Sequence, residues 1–196
     1  MKKINFIKTF IPKGDFNEKY EHGGMMVRHL AAVLDEKMGA YECYECTVPI
    51  GEYDENEVQK AFVEFSAKMN ALKLEQVKAD KIAEITDYDT SSSVNGFMLN
   101  GLLVWLDKAT RVGLMNSTTI AKAAGQQTTT LWLGGLKLVV DCDKAIQLLS
   151  ALEMYALECF NVTASHKAAV SELTIIEEVE AYDFKAGYPK MLEMSV

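Results

Sequence analysis

Phe97–Asp107, FMLNGLLVWLD, and Leu131–Asp141, LWLGGLKLVVD, are one pattern written twice. Each is an apolar run interrupted by a two-residue turn and closed by an aspartate. At an offset of 34, Leu99 falls on Leu133, Gly101 on Gly135, Leu102 on Leu136 and Asp107 on Asp141. The turn pairs Asn100-Gly101 and Gly134-Gly135 tolerate positive φ at both central positions, which a type I′ hairpin turn demands. An amphipathic helical pattern follows each aspartate, so the C-terminal two thirds reads as hairpin-then-helix, repeated. Asp107 is the expected N-cap of a helix reaching about Ala124, with Gly125 as its stop. Asp141 or Asp143 is expected to cap a longer helix with the stripe Ile146, Leu149, Leu152, Ala156, Cys159, Thr163, His166 and Val170. The two hairpins are expected to join in one small sheet backed by the helix at 143–171, leaving an exposed edge or face for a neighbouring subunit.

The rest of the chain is read outward from this repeat. Thr174-Ile-Ile-Glu177 has capping-box spacing and predicts a last short helix ending near Tyr182-Asp183. The pattern E-[IV]-x-x-Y-D occurs at 84–89 and again at 178–183, which suggests two similar helix ends lying near each other. Upstream, Asp54 with Glu57 predicts the start of a long helix running to about Thr86. Its residues Val58, Phe62, Phe65, Met69 and Leu72 follow the 4-3-4-3 spacing of a coiled-coil or bundle seam. At 1.5 Å per residue such a helix is ~48 Å long, a length that joins modules or builds an oligomer. Residues 1–53 read as a small strand-helix-strand unit. A strand ends at Pro12, and Lys13–Gly24 is loop. The spacing of Met26, Leu30, Val33, Leu34 and Met38 predicts a helix capped by Gly39, and Tyr41–Val48 alternates as a strand. The expected fold class is therefore α+β: long helices packed with two β-hairpins, plus the N-terminal unit. The expected modules are 1–53, a connecting helix 54–86, and 87–196.

Composition excludes several functions. The net charge of −8 is spread along the chain, and only two arginines occur, Arg28 and Arg111. Nucleic acid, which needs clustered cations, is not an expected partner. No apolar run reaches the ~18–20 residues of a membrane span. The N-terminal stretch makes a poor signal peptide and a better first strand, so the four cysteines are expected as thiols.

No motif names a reaction. Cys43-x-x-Cys46 lacks the further ligands a zinc site needs, and strand alternation sends the two thiols to opposite faces. His166, one turn from Val162 and Val170, reads as a groove histidine bonded to backbone or to a tyrosine; His22 and His29 stand apart from it. Ser91-Ser92-Ser93 reads as caps and turn hydroxyls. Gly134-Gly135 is not followed by the GK[ST] of a phosphate loop. Asn161-Val-Thr163 is a sequon placed mid-helix, and the aspartates lack calcium-loop spacing. Asp107 and Arg111 read as an i,i+4 pair at a helix start. Trp105 and Trp132 are expected where sheets meet helices or at an interface. No catalytic residue, cofactor or metal is expected. Val58, Phe62, Phe65, Met69, Leu72, Trp105 and Trp132 are the interface candidates.

One ordered series of residues runs through the C-terminal part: Ile85-x-x-Tyr88-Asp89-Thr90-Ser91, Val94-Asn95-x-Phe97, Trp105-Leu106-Asp107, Thr110-Arg111 and Leu131-Trp132. It continues with Leu152-Glu153-x-Tyr155-Ala156, Asn161-Val162-Thr163-x-x-His166-Lys167, and Tyr182-Asp183 before Gly187-Tyr188-Pro189. In this series the sequence from about Lys78 to Lys190 resembles an uncharacterised phage and prophage domain. The resemblance implies a virion or tail-fibre-associated protein, made in the host bacterial cytoplasm, with itself and other virion proteins as partners. A tail-fibre assembly factor absent from the finished particle is the alternative. An enzyme acting on host polysaccharide is a third reading, which a pocket with two convergent carboxylates near Trp105 or Trp132 would favour.

Overall fold

A computed structural model of the protein describes residues 4–196, and for residues 30–33 it describes the backbone alone. The fold is α+β, with five helices, one of them 35 residues long, and several small sheets among the described residues. Its contacts divide the chain into two compact units, 1–73 and 74–196.

In the first unit β1 (Ile7–Pro12), β2 (Lys19–His22), β3 (Met25–Asp35) and β4 (Ala40–Pro49) form an antiparallel sheet in the order β1-β4-β3-β2. This corrects the strand-helix-strand expectation: the stretch 25–38 is a strand and turn rather than a helix, and β2 lies within the expected loop. The reason lies in the ladder. The β3–β4 register shifts between Leu30 and Val33. Such a bulge moves the residues after it to the other face, so the apolar positions lose period two and imitate helical spacing. Gly39, at φ +63, closes the β3–β4 turn that Asp35 organises by accepting the amides of Lys37 and Met38. Positive φ at a glycine serves a turn as well as a helix end. Cys46 and Val48 pack with Val58 and Phe62 of α1 (Glu55–Asp89), flanked by Ile4, Phe6, Met26 and Tyr53. The start of α1 is the expected capping box: the Glu57 carboxylate accepts from the Asp54 amide at 3.2 Å, and Asp54 accepts from the Asn56 amide at 3.1 Å. The helix runs three residues past its expected end, to Asp89.

The second unit contains the repeat. After one helical turn, α2 (Ser92–Asn95), the first hairpin is β5 (Gly96–Leu99) with β6 (Leu102–Trp105), followed by α3 (Lys108–Ala123). The second hairpin is β7 (Thr128–Leu133) with β8 (Leu136–Asp141), followed by α4 (Cys142–Glu172). Asn100 and Gly101 have φ of 50° and 82°, and Gly134 and Gly135 of 57° and 86°, the two left-handed residues of a type I′ turn. Asp107 caps α3 by accepting from the Thr110 amide, and Asp141 caps α4 by accepting from the amides of Asp143 and Lys144. Gly125, at φ +84, terminates α3.

The hairpins do not join in one sheet. β5 pairs instead with the C-terminal strand β9 (Leu192–Met194) in parallel, giving the order β6-β5-β9, and β7-β8 forms a separate sheet. They share a core rather than a ladder. Phe97, Leu99, Val104 and Leu106 from the first hairpin and its exit pack with Leu131, Leu133 and Val140 from the second, and both sets meet Ala145, Leu149, Leu152, Tyr155 and Cys159 of α4. The short helix α5 (Ile176–Glu180) begins at Ile175 with no side-chain cap, so the Thr174 capping box does not form. The E-[IV]-x-x-Y-D echo is spatial: Ile85 and Val179 are buried together against Val170, and Lys81 donates to the Glu180 carbonyl.

Candidate functional site

Most of the polar chemistry of the second unit collects where α3 and α4 face the end of α1. Asp107 was expected to pair with Arg111 one turn on. It accepts instead from the amide and hydroxyl of Thr110, and these bonds hold its carboxyl below the usual range. Arg111 turns inward and is 8 % exposed. Its Nε donates to Glu153 Oε1 at 3.0 Å and its Nη1 to the Leu106 carbonyl at 2.8 Å. A buried guanidinium needs a countercharge and partners for its donors; Glu153 of α4 supplies the charge, and it and the Leu106 carbonyl take two of the five N–H groups.

Beside this pair is a cleft of about 410 Å³. Asp89, Asn95, Arg111 and Glu153 give it polar walls, and Trp105 and Phe160 give it aromatic ones. Asp89 is fixed by Thr163, whose hydroxyl donates to Oδ1 at 2.7 Å and so accepts from the Tyr188 hydroxyl at 2.9 Å. The Asn95 amide donates to the Asp89 carbonyl. At the back of this wall Tyr155 donates to the Val94 carbonyl at 2.7 Å, and burial pushes its phenol up to about 12.

The interface candidates scatter. Val58 and Phe62 are buried in the core of the first unit, where they cannot meet a partner in the folded chain. Phe65 is half-buried, stacked on Phe6 and edge-on to Tyr44. Met69 is half-buried and Leu72 exposed. Trp105 and Trp132 lie on different hairpins, 40 % and 60 % exposed, and only Trp105 lines the cleft.

His166 is held as expected, between the Tyr182 hydroxyl and the Ala186 carbonyl, both at 2.9 Å. The carbonyl can only accept, so Nε2 donates to it, and Nδ1 shares the second hydrogen bond with the tyrosine hydroxyl. Cys43 and Cys46 are both buried, and desolvation raises the thiol pKa of each, that of Cys46 to about 11. Among the described residues no group of three or more His, Cys, Asp or Glu is arranged to hold a metal ion, and no helix is long and apolar enough to cross a membrane. Ser91 caps α2. The sequence did not reveal the Arg111–Glu153 pair, whose members stand 42 residues apart. One signal was present: at the repeat offset Arg111 falls on the buried Ala145.

The family model described as Domain of unknown function (DUF4376) matches residues 76–186, more than half of the chain. The chain belongs to this family. The DUF4376 region contains both hairpin-then-helix copies and the whole Trp105 cleft. No curated protein and no solved structure matches the chain.

Proposed function

We propose that this DUF4376 protein is a bacteriophage structural protein, a head-fibre, tail or connector component that works as a homo-oligomer through protein–protein contacts and is not an enzyme. The phage assignment rests on the sequence resemblance over residues 78–190. The observation that supports a contact role is the outward face of the second hairpin. Trp132 and Val139 are 60 % and 67 % exposed. They share one face of a two-stranded sheet, where Trp132 lies opposite Lys137 and Thr130 opposite Val139. Diagonal cross-strand neighbours of this kind lie within reach of a large side chain, so both present exposed apolar surface on the same face. Both outer edges of β7-β8 lack a strand partner among the described residues, and such edges are templates for pairing.

A second reading has a specific observation behind it. Asp89, Asp107 and Glu153 line one cleft with Trp105, the kind of arrangement that favours a polysaccharide-cleaving enzyme. Glycoside hydrolysis needs one carboxyl kept protonated as the acid. Asp107 is held ionised by Thr110, and Glu153 faces a guanidinium. Asp107 is thus kept as the carboxylate and one Glu153 oxygen is committed to Arg111, which supports the non-enzymatic reading.

Mass spectrometry of purified particles tests the proposal. The chain is expected in stoichiometric amount; its absence would overturn the virion assignment in favour of an assembly factor.

A further inference from the structure

Beyond its place in an assembly, we propose that the Trp105 cleft of the DUF4376 domain is a binding site for a neutral saccharide. Three features of the cleft select that chemistry.

The first is its balance of charge. The lining holds three carboxylates, Asp89, Asp107 and Glu153, against two cations, Lys108 and Arg111. An anionic ligand meets the carboxylates, and a cationic one meets a buried guanidinium. A neutral ligand with many hydroxyls meets neither penalty and uses both, since a hydroxyl donates to a carboxylate and accepts from an N–H.

The second is that the polar groups are fixed before any ligand arrives. Arg111 spends Nε on Glu153 and one Nη1 hydrogen on the Leu106 carbonyl, which leaves the other Nη1 hydrogen and both on Nη2 as donors. Asp89 takes the Thr163 hydroxyl on Oδ1, which leaves Oδ2 as an acceptor. Groups held this way by neighbouring bonds lose little freedom on binding.

The third is the aromatic wall. Trp105 and Phe160 line the cleft yet stay 40 % and 59 % exposed. Exposed aromatic faces beside oriented polar groups suit a ring with an apolar C–H face and a hydroxyl rim. The cleft volume of about 410 Å³ falls within the range of small-molecule sites and holds one or two sugar rings rather than a folded partner. The repeat points to the same place: α3 has Arg111 where α4 has Ala145 and the second hairpin has Val139 where the first has Trp105, so the first copy alone has the site.

The two tryptophans make the test internal. In a nitrogen-15 NMR titration of the full chain, Trp105 and Trp132 each give one indole N–H resonance, assigned by Trp105→Phe and Trp132→Phe. The probes are cellohexaose, chitohexaose and mannohexaose, with hexalysine and a hexagalacturonate as charged counterparts. At least one neutral probe is expected to move the Trp105 resonance saturably below about 10 mM, leaving that of Trp132 in place. Trp105→Ala is expected to weaken binding about tenfold by calorimetry. Phe160→Ala, on an exposed part of α4, is expected to weaken it while keeping the wild-type melting temperature. No response to any neutral probe, equal movement of both indoles, or a response to a charged probe alone would overturn the proposal.

Discussion

In the first hairpin-then-helix copy, β5 is flanked by β6 on one side and β9 on the other; in the second, β7 and β8 have only each other among the described residues. The turns match, both with two left-handed residues, and so do the aspartate caps. The helices diverge. α4 buries nine residues along its length, whereas α3 buries Arg111 and Thr118 alone. At the repeat offset these two fall on Ala145 and Leu152, both buried. The second copy therefore fills its helix slots with core, and the first fills the same slots with polar groups, one of which builds the cleft wall. Local chemistry is what the copies hold in common, and their neighbours are what made them different.

The largest effect is expected in the core that the two hairpins share. Leu99 and Leu133 are equivalent and fully buried. Each, changed to Ala, is expected to cost about 3–5 kcal/mol in denaturant unfolding. A cost below about 1 kcal/mol at one of them would mean that its hairpin is not part of a common core. The turns come next. A Cβ on Gly134 would meet the Val104 methyls at 3.1 Å, whereas one on Gly101 meets nothing within 4 Å. Both have positive φ. Gly101→Ala is expected to cost about 1–2 kcal/mol and Gly134→Ala about 2–4, the excess arising from the second hairpin's close approach to the first.

The buried threonines sharpen the contrast between helices. Thr163 on α4 has its hydroxyl bonded to Asp89 and Tyr188, while Thr118 Oγ1 on α3 has no partner. Thr163→Val is expected to lose about 1–3 kcal/mol, and Thr118→Val to be neutral or to gain up to about 1 kcal/mol. Equal losses would erase the distinction. The smallest effect is at the first cap. The folded-state pKa of Asp107 is lowered by Thr110. Its contribution is therefore present above the ordinary carboxylate pKa and lost as pH falls through the depressed value. The melting-temperature gap between wild type and Asp107→Ala is expected to be full at neutral pH and to close below about pH 4.

Residues that act on their own neighbours are legible in the sequence, and those that act across the chain are not. Asn100-Gly101, Gly134-Gly135, Asp107, Asp54 and Glu57 all act within a few residues of themselves, and each was readable. His166 was readable because its place on an apolar helix stripe left few partners but a tyrosine or a carbonyl. β3 was misread because the shift between Leu30 and Val33 gives a strand the spacing of a helix. The pairing of β9 with β5 was missed because Leu192–Met194 is three residues long and its partner lies nearly a hundred positions away. The cleft was invisible as a unit because its walls come from α1, β6, α3 and α4. Trp105 and Asp107 were noted separately, and nothing in the local pattern says that Glu153 completes Arg111.

On the proposed function, the outward face of the second hairpin makes the contacts through which this protein works. Sedimentation velocity on the full chain, beside a Trp132→Ser, Val139→Ser double variant, tests it most directly. Wild type is expected to sediment as a homo-oligomer and the variant as a monomer with unchanged helix content. A wild-type chain that stays monomeric at every concentration, or an oligomer that ignores both substitutions, would rule that contact face out.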